Sequence, residues 1–130
     1  MTLTPELITA IEKYDEQKRF KYLLEEVIKH QEIWILVDDK GCMMLNTEDG
    51  DSVPVWPNKA FAQGWITDDW SQCKAEAISL STWKTRWTVG LEADEIAIVV
   101  FPNQEEGVII FPDEFDFELT EQAKKAAKYN

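Results

Sequence analysis

Ile33-Trp34-Ile35-Leu36-Val37, then Asp38-Asp39-Lys40-Gly41, then Cys42-Met43-Met44-Leu45 is the stretch whose reading decides the fold class. The first five residues are apolar at every position, so an extended segment made of them has no wet face and has to be covered on both sides. The acidic turn ends in glycine, which takes positive φ without strain, and the second run reads as a hairpin partner of the first. A second turn, Thr47-Glu48-Asp49-Gly50-Asp51, leads into Val53-Pro54-Val55-Trp56. Because proline cannot donate to a ladder, this third strand is predicted to be very short or to lie at a sheet edge.

Upstream the period is helical. Thr4 before Pro5 is a start signal, and Leu7, Ile8, Ile11 and Tyr14 share one face. From Glu16 to Lys29, Phe20, Leu23, Leu24, Val27 and Ile28 form the apolar stripe of a second helix, with Lys18, Arg19, Lys21, Glu25 and Glu26 assigned to the wet side. Downstream, Pro57 and Asn58 open a short helix through Ala60, Phe61 and Trp65, and Thr67-Asp68-Asp69-Trp70 breaks the pattern. Ser79 caps a clearer helix whose Leu80, Trp83, Trp87 and Leu91 recur at helical intervals. Ile96 to Phe101 is again apolar on both faces, a loop over 102–107 returns it to Val108-Ile109-Ile110-Phe111, and Pro112 begins a last helix running to Asn130.

These elements predict one α+β domain over residues 1–130. Its sheet is mostly antiparallel, of about five strands built from the meander and the late hairpin, with helices packed on its faces. Side-by-side placement of the Ile33 and Ile96 strands at the sheet centre would explain both apolar runs together.

Asp and Glu outnumber Lys and Arg by 25 to 13, a formal charge of -12 that repels phosphate backbones and anionic lipid, so neither nucleic acid nor membrane is expected as a partner. Acids and bases nearly cancel before Gln31, six against five, so the surplus belongs to the later part of the chain. The opening residues carry no secretory pattern, no apolar run approaches the ~20 residues that cross a bilayer, and two widely spaced cysteines read as reduced thiols. Together these predict a cytoplasmic protein.

Arg19-Phe20-Lys21-Tyr22, Glu32-Ile33-Trp34-Ile35-Leu36, Val53-Pro54-Val55-Trp56-Pro57, Ala77-Ile78-Ser79-Leu80 before Trp83 and Trp87, and Val99-Val100-Phe101-Pro102 before Phe111-Pro112 occur in that order along nearly the whole chain. In this pattern the chain resembles a family of small bacterial proteins known as domain of unknown function 2750, and the resemblance implies no established activity. Two positions depart from the pattern. Asn58 stands where the family is expected to carry histidine after the Trp-Pro pair, and Cys42 stands where an aromatic follows the hairpin glycine. Asparagine cannot transfer a proton near neutral pH, so no catalytic role attached to that histidine carries over.

The remaining chemistry-bearing residues are sparse. His30, the one histidine, falls at the end of the second helix beside Lys29, where positive charge is favoured. Cys42 and Cys73 have no Cys-x-x-Cys partner, the Asp38 and Asp49 clusters lack calcium-loop spacing, and the five glycines form no phosphate loop or nucleophile elbow. The sequence therefore names no catalytic residue, no metal site and no cofactor. Six tryptophans are the unusual feature. Trp34, Trp83 and Trp87 are assigned to the core, while Trp56, Trp65 and Trp70, with Asp68 and Asp69, fall in the least regular acid-bearing segment and are the candidate binding residues. The reading that follows is a non-enzymatic interaction protein, such as an inhibitor, immunity or regulatory factor, docking a basic protein partner. The alternative is a small-molecule domain or weakly marked enzyme with an aromatic-lined pocket. A homo-oligomer is compatible with either.

Overall fold

Side-chain caps set the first two helices. The Thr4 hydroxyl accepts from the Leu7 amide at 3.1 Å ahead of Pro5, opening α1 (Pro5–Glu12), and the Asp15 carboxylate accepts from Lys18 N at 2.8 Å, opening α2 (Glu16–His30). Gln31 then ends α2 in the left-handed region (φ 59) with its amide on the Val27 carbonyl, which turns the chain directly into the first strand. The structure is a computed structural model, and it describes residues 4–47, 50–66, 71–102 and 107–128.

Among the described residues seven strands follow in chain order: β1 (Glu32–Asp38), β2 (Gly41–Cys42), β3 (Leu45–Thr47), β4 (Gly50–Val55), β5 (Lys74–Ser79), β6 (Ala97–Val100) and β7 (Val108–Ile110). They form two sheets rather than the single five-stranded one expected. One has the order β2-β1-β5 and is antiparallel throughout; the other has the order β3-β4-β6-β7 and is mixed, because β4 and β6 run parallel. The run expected as one strand from Cys42 to Leu45 is divided. Gly41 and Cys42 pair with β1, Leu45 to Thr47 pair with β4, and Met43 and Met44 carry the chain from one sheet to the other. At the junction Trp34 and Trp56 exchange backbone hydrogen bonds of 3.0 and 2.9 Å.

Two further expectations are corrected. β1 and β6 are not neighbours: each lies inside its own sheet, so both apolar runs are covered, but separately. Pro54 is not on an edge strand, since β4 lies between β3 and β6. The reason is local. Val55 O accepts from Phe101 N on the β6 side, and Trp56 bonds Trp34 on the other, so alternation turns Pro54 toward the Trp34 side. There β3 has already ended at the Leu45–Ser52 pair, and the missing N–H falls in the gap before Trp34.

β5 was not foreseen. Lys74-Ala75-Glu76-Ala77-Ile78-Ser79 has no strand composition and only Ile78 is buried, yet six residues pair with β1, from Glu32 opposite Ser79 to Val37 opposite Lys74. Pairing to a buried strand outweighs local propensity here. Cys42 and Cys73 are both free; they lie toward opposite sides of β1, so two strand spacings, roughly 9–10 Å, separate their backbones, beyond the ~7 Å reach of a disulfide.

The later helices are α3 (Lys59–Gln63), capped by Asn58 Oδ1 accepting from Ala60 N at 3.0 Å, then α4 (Leu80–Thr82), α5 (Thr88–Ala93) and α6 (Pro112–Lys128). Ser79 caps α4 as expected, accepting from Thr82 N at 3.2 Å. Between α4 and α5, Trp83–Trp87 form a π-helical turn in which the Trp83 carbonyl receives both the amide and the hydroxyl of Thr88. The wider turn lets the two rings stack, with centroids 5.3 Å apart and planes 8° apart, while Phe115 of α6 meets Trp83 edge-on at 6.1 Å.

Trp83 is fully buried, but Trp87 is half-buried, so the expectation that both are core holds for the first ring alone. Lys84 extends the contact to α6, donating to Asp116 and Thr120 at 3.0 Å each. Trp83→Ala should cost about 3–5 kcal/mol, and Trp87→Ala less than half of that, because the outer ring gives up less buried surface. Paired urea melts read the order directly, and equal losses would contradict it.

Candidate interaction surface

The residues singled out in the sequence separate by depth. Trp56 is fully buried, so its ring supports a surface rather than forming one. Trp65 is half-buried, packs on Trp56 with centroids 5.6 Å apart, and donates its indole N–H to the Pro102 carbonyl at 3.1 Å. Asp68, Asp69 and Trp70 lie outside the described residues.

Arg19 was assigned to the wet side of α2 and is instead 1% exposed. The spacing explains the correction, since residues 19, 23 and 27 fall on one helical face and Leu23 and Val27 are fully buried. Its Nε donates to the Phe101 carbonyl at 3.1 Å, and its Nη1 donates to the Tyr14 carbonyl. Phe101 is held at φ 44, a conformation costly for a residue with a side chain. That carbonyl and the Phe101 amide, bonded to Val55 at 2.8 Å, fix the turn from both sides. In the same region Phe61 and Phe101 pack at 4.8 Å, and Tyr22 meets each of them at 6.1 Å. Trp65 thus rests on a rigid support at the end of β6.

A different surface lies at the beginning of β6, on the order of 15 Å away along the strand. Phe111 is 61% exposed and forms, with Leu91 and Ile96, the apolar part of a groove of about 420 Å³ whose charged residues are Glu92, Glu95 and Asp113. Beside it, Ile109 of β7 is 63% exposed and lines a groove of about 380 Å³ with Phe20, Glu114 and Glu118. Among the described residues neither groove is lined by a Lys or Arg. An apolar centre rimmed by carboxylates is the arrangement that suits a cationic, partly apolar partner. Neither groove is legible in the sequence, because the apolar run Val108 to Phe111 reads as a hairpin strand and carries no signal of which of its residues stay outside.

The family described as "Protein of unknown function (DUF2750)" has a model that matches residues 20–119. The chain belongs to that family. No curated protein matches it. The family region runs from α2 into α6 and includes Trp56, Trp65, Phe101, Ile109 and Phe111, so both surfaces lie within it. In this member Asn58 has the structural task of capping α3. Among the described residues no helix is long and apolar enough to cross a membrane, and no three His, Cys, Asp or Glu side chains gather as metal ligands.

Titration of the polar groups follows their burial. Burial, reinforced by Asp38, pushes both thiols above the ordinary cysteine value, which disfavours thiolate at neutral pH. Burial, then the Glu26 carboxylate to which its hydroxyl donates at 3.3 Å, pushes Tyr22 up to about 12. A raised folded-state pKa stabilises the fold fully below the unfolded value near 10, and that contribution is lost as pH rises through about 12. Alkaline titration at 295 nm should therefore show Tyr22 ionising after a free tyrosine, and Glu26→Gln should bring it earlier. Arg19→Lys should cost about 2–3 kcal/mol despite keeping the charge, because an ammonium cannot reproduce the two-sided fork to Phe101 and Tyr14. A urea midpoint unchanged by that substitution would remove Arg19 from the framework.

Proposed function

We propose that this protein is a non-catalytic interaction domain, acting as an inhibitor, immunity or regulatory factor that binds a basic protein partner in the cytoplasm. The observation that carries the reading is the exposed Phe111 at a groove whose charged residues, among those described, are Glu92, Glu95 and Asp113. The formal charge of -12 supplies long-range attraction, and the exposed apolar side chains supply short-range contact.

Trp65, backed by Trp56 at the other end of β6, is proposed as a second contact region of the same chemistry, together with Asp68, Asp69 and Trp70, which follow it in the sequence. The small-molecule reading has less in its favour, because Phe111 is the one aromatic ring in its groove and the Trp65 indole N–H is already committed to Pro102.

The division of labour sets the test. With a captured partner, Phe111→Ser should speed dissociation by roughly 30-fold, the equivalent of about 2 kcal/mol at a hot spot. Neutralising Glu92, Glu95 and Asp113 to the amides should mainly slow association, and added salt should act on the same step. A Trp65→Ala, Trp70→Ala pair, checked for folding by circular dichroism, reports on the second region. Pull-downs in which all these baits recover the same proteins in the same amounts as wild type would defeat the proposal.

A further inference from the structure

We infer that the partner engages this surface by adding an extended segment to the free edge of β7, with a basic side chain of that segment held between Glu114 and Glu118. The inference rests on the interaction reading above and specifies its geometry and ligand chemistry.

The direction of the backbone groups follows from the ladder. The Phe101 amide bonds Val55, so Val99 and Phe101 face β4, and Ile98 and Val100 face β7. Ile98 stands opposite Ile110 and Val100 opposite Val108, which makes these the hydrogen-bonded pairs. Ile109, opposite Val99, then turns its N–H and C=O outward, where no strand among the described residues pairs with them. Edge strands are ordinarily blunted by charge, proline or a bulge. Val108-Ile109-Ile110 has neither charge nor proline, and it is limited only by being three residues long.

The groove beside this edge selects the occupant. Side chains of an added strand alternate, so every second one enters the space lined by Phe20, Ile109, Glu114 and Glu118. Apolar wall and twin carboxylates suit the stem and head of Lys or Arg. Lys21 and Lys125 line the adjoining groove, which shares Glu118, rather than this one. Pairing of β7 with β7 of a second copy would bring the acids of two chains of formal charge -12 together, so a cationic segment is favoured over self-association.

The probe is a capped hexapeptide of alternating Lys and Val, titrated into the uniformly nitrogen-15-labelled full chain. Expected are chemical-shift changes centred on Val108 to Ile110, with the Ile109 amide exchanging at least tenfold more slowly at saturation. The same peptide N-methylated on alternate amides, and one with Glu replacing Lys, should each bind at least tenfold more weakly. Ile109→Pro removes the outward N–H while sparing the β6 ladder and should weaken binding by a similar factor. Should that variant disturb the hairpin, Glu114→Gln with Glu118→Gln leaves the backbone untouched and should lower affinity for the Lys peptide several-fold. An unchanged Ile109 amide with shifts at Phe111 would overturn strand addition while sparing the interaction reading, and loss of those shifts in Phe111→Ser identifies that case. Absence of binding at millimolar peptide, or concentration-dependent self-association abolished by Ile109→Pro, would overturn the inference.

Discussion

Two backbone hydrogen bonds between Trp34 and Trp56 hold the two sheets in register, and most of the molecule is arranged around that contact. It allows β4 to serve two neighbours in succession on one side, β3 at its start and Trp34 just past its end. Proline is tolerated in the interval, where no partner requires its N–H. The junction also buries Trp56 completely and sends the chain through Pro57 to the Asn58 cap, so α3 begins at the seam between the sheets.

Arg19 has a similar office at the far end of β6. A buried guanidinium is tolerable only when its donors are matched, and the Phe101 and Tyr14 carbonyls take two of them. The same bond anchors a left-handed Phe101, the turn by which β6 ends, against the aromatic rings of α2 and α3. Helix and strand end are thereby fixed to one another by a buried polar group, with the short helix joined through the Phe61 and Phe101 ring contact. The Trp65 support owes its rigidity to this arrangement rather than to any property of Trp65.

The outer surface follows from what the core leaves over. With α2 and α6 occupied against the sheets, β7 has one neighbour, and Ile109 and Phe111 stay outside among carboxylates from α2's neighbour α6 and from the end of α5. On the proposed reading, apolar exposure bordered by charge of one sign favours an oppositely charged partner over a second copy.

Much of this was legible in the residues alone. Caps at Thr4 and Ser79, the apolar runs at Ile33 and Ile96 and the helical stripe of α2 are local signals, set by cap chemistry and by periods of 3.6 and two residues, and each produced the element it announced. Family membership was legible too, in the order of the aromatic and proline motifs. Strand partners were not, because pairing is a non-local choice: β5 has no strand composition and exists through its ladder to β1, and Pro54 is interior because a neighbouring strand happens to stop. The depth of individual side chains was likewise decided in three dimensions. Trp56 and Trp65 look alike in a sequence, and Arg19 reads as a surface cation, yet the seam buries one ring, half-covers the other and gives the guanidinium carbonyls to bind. Composition determined the sign of the charge and the supply of apolar residues; only tertiary packing decided which of them would meet water.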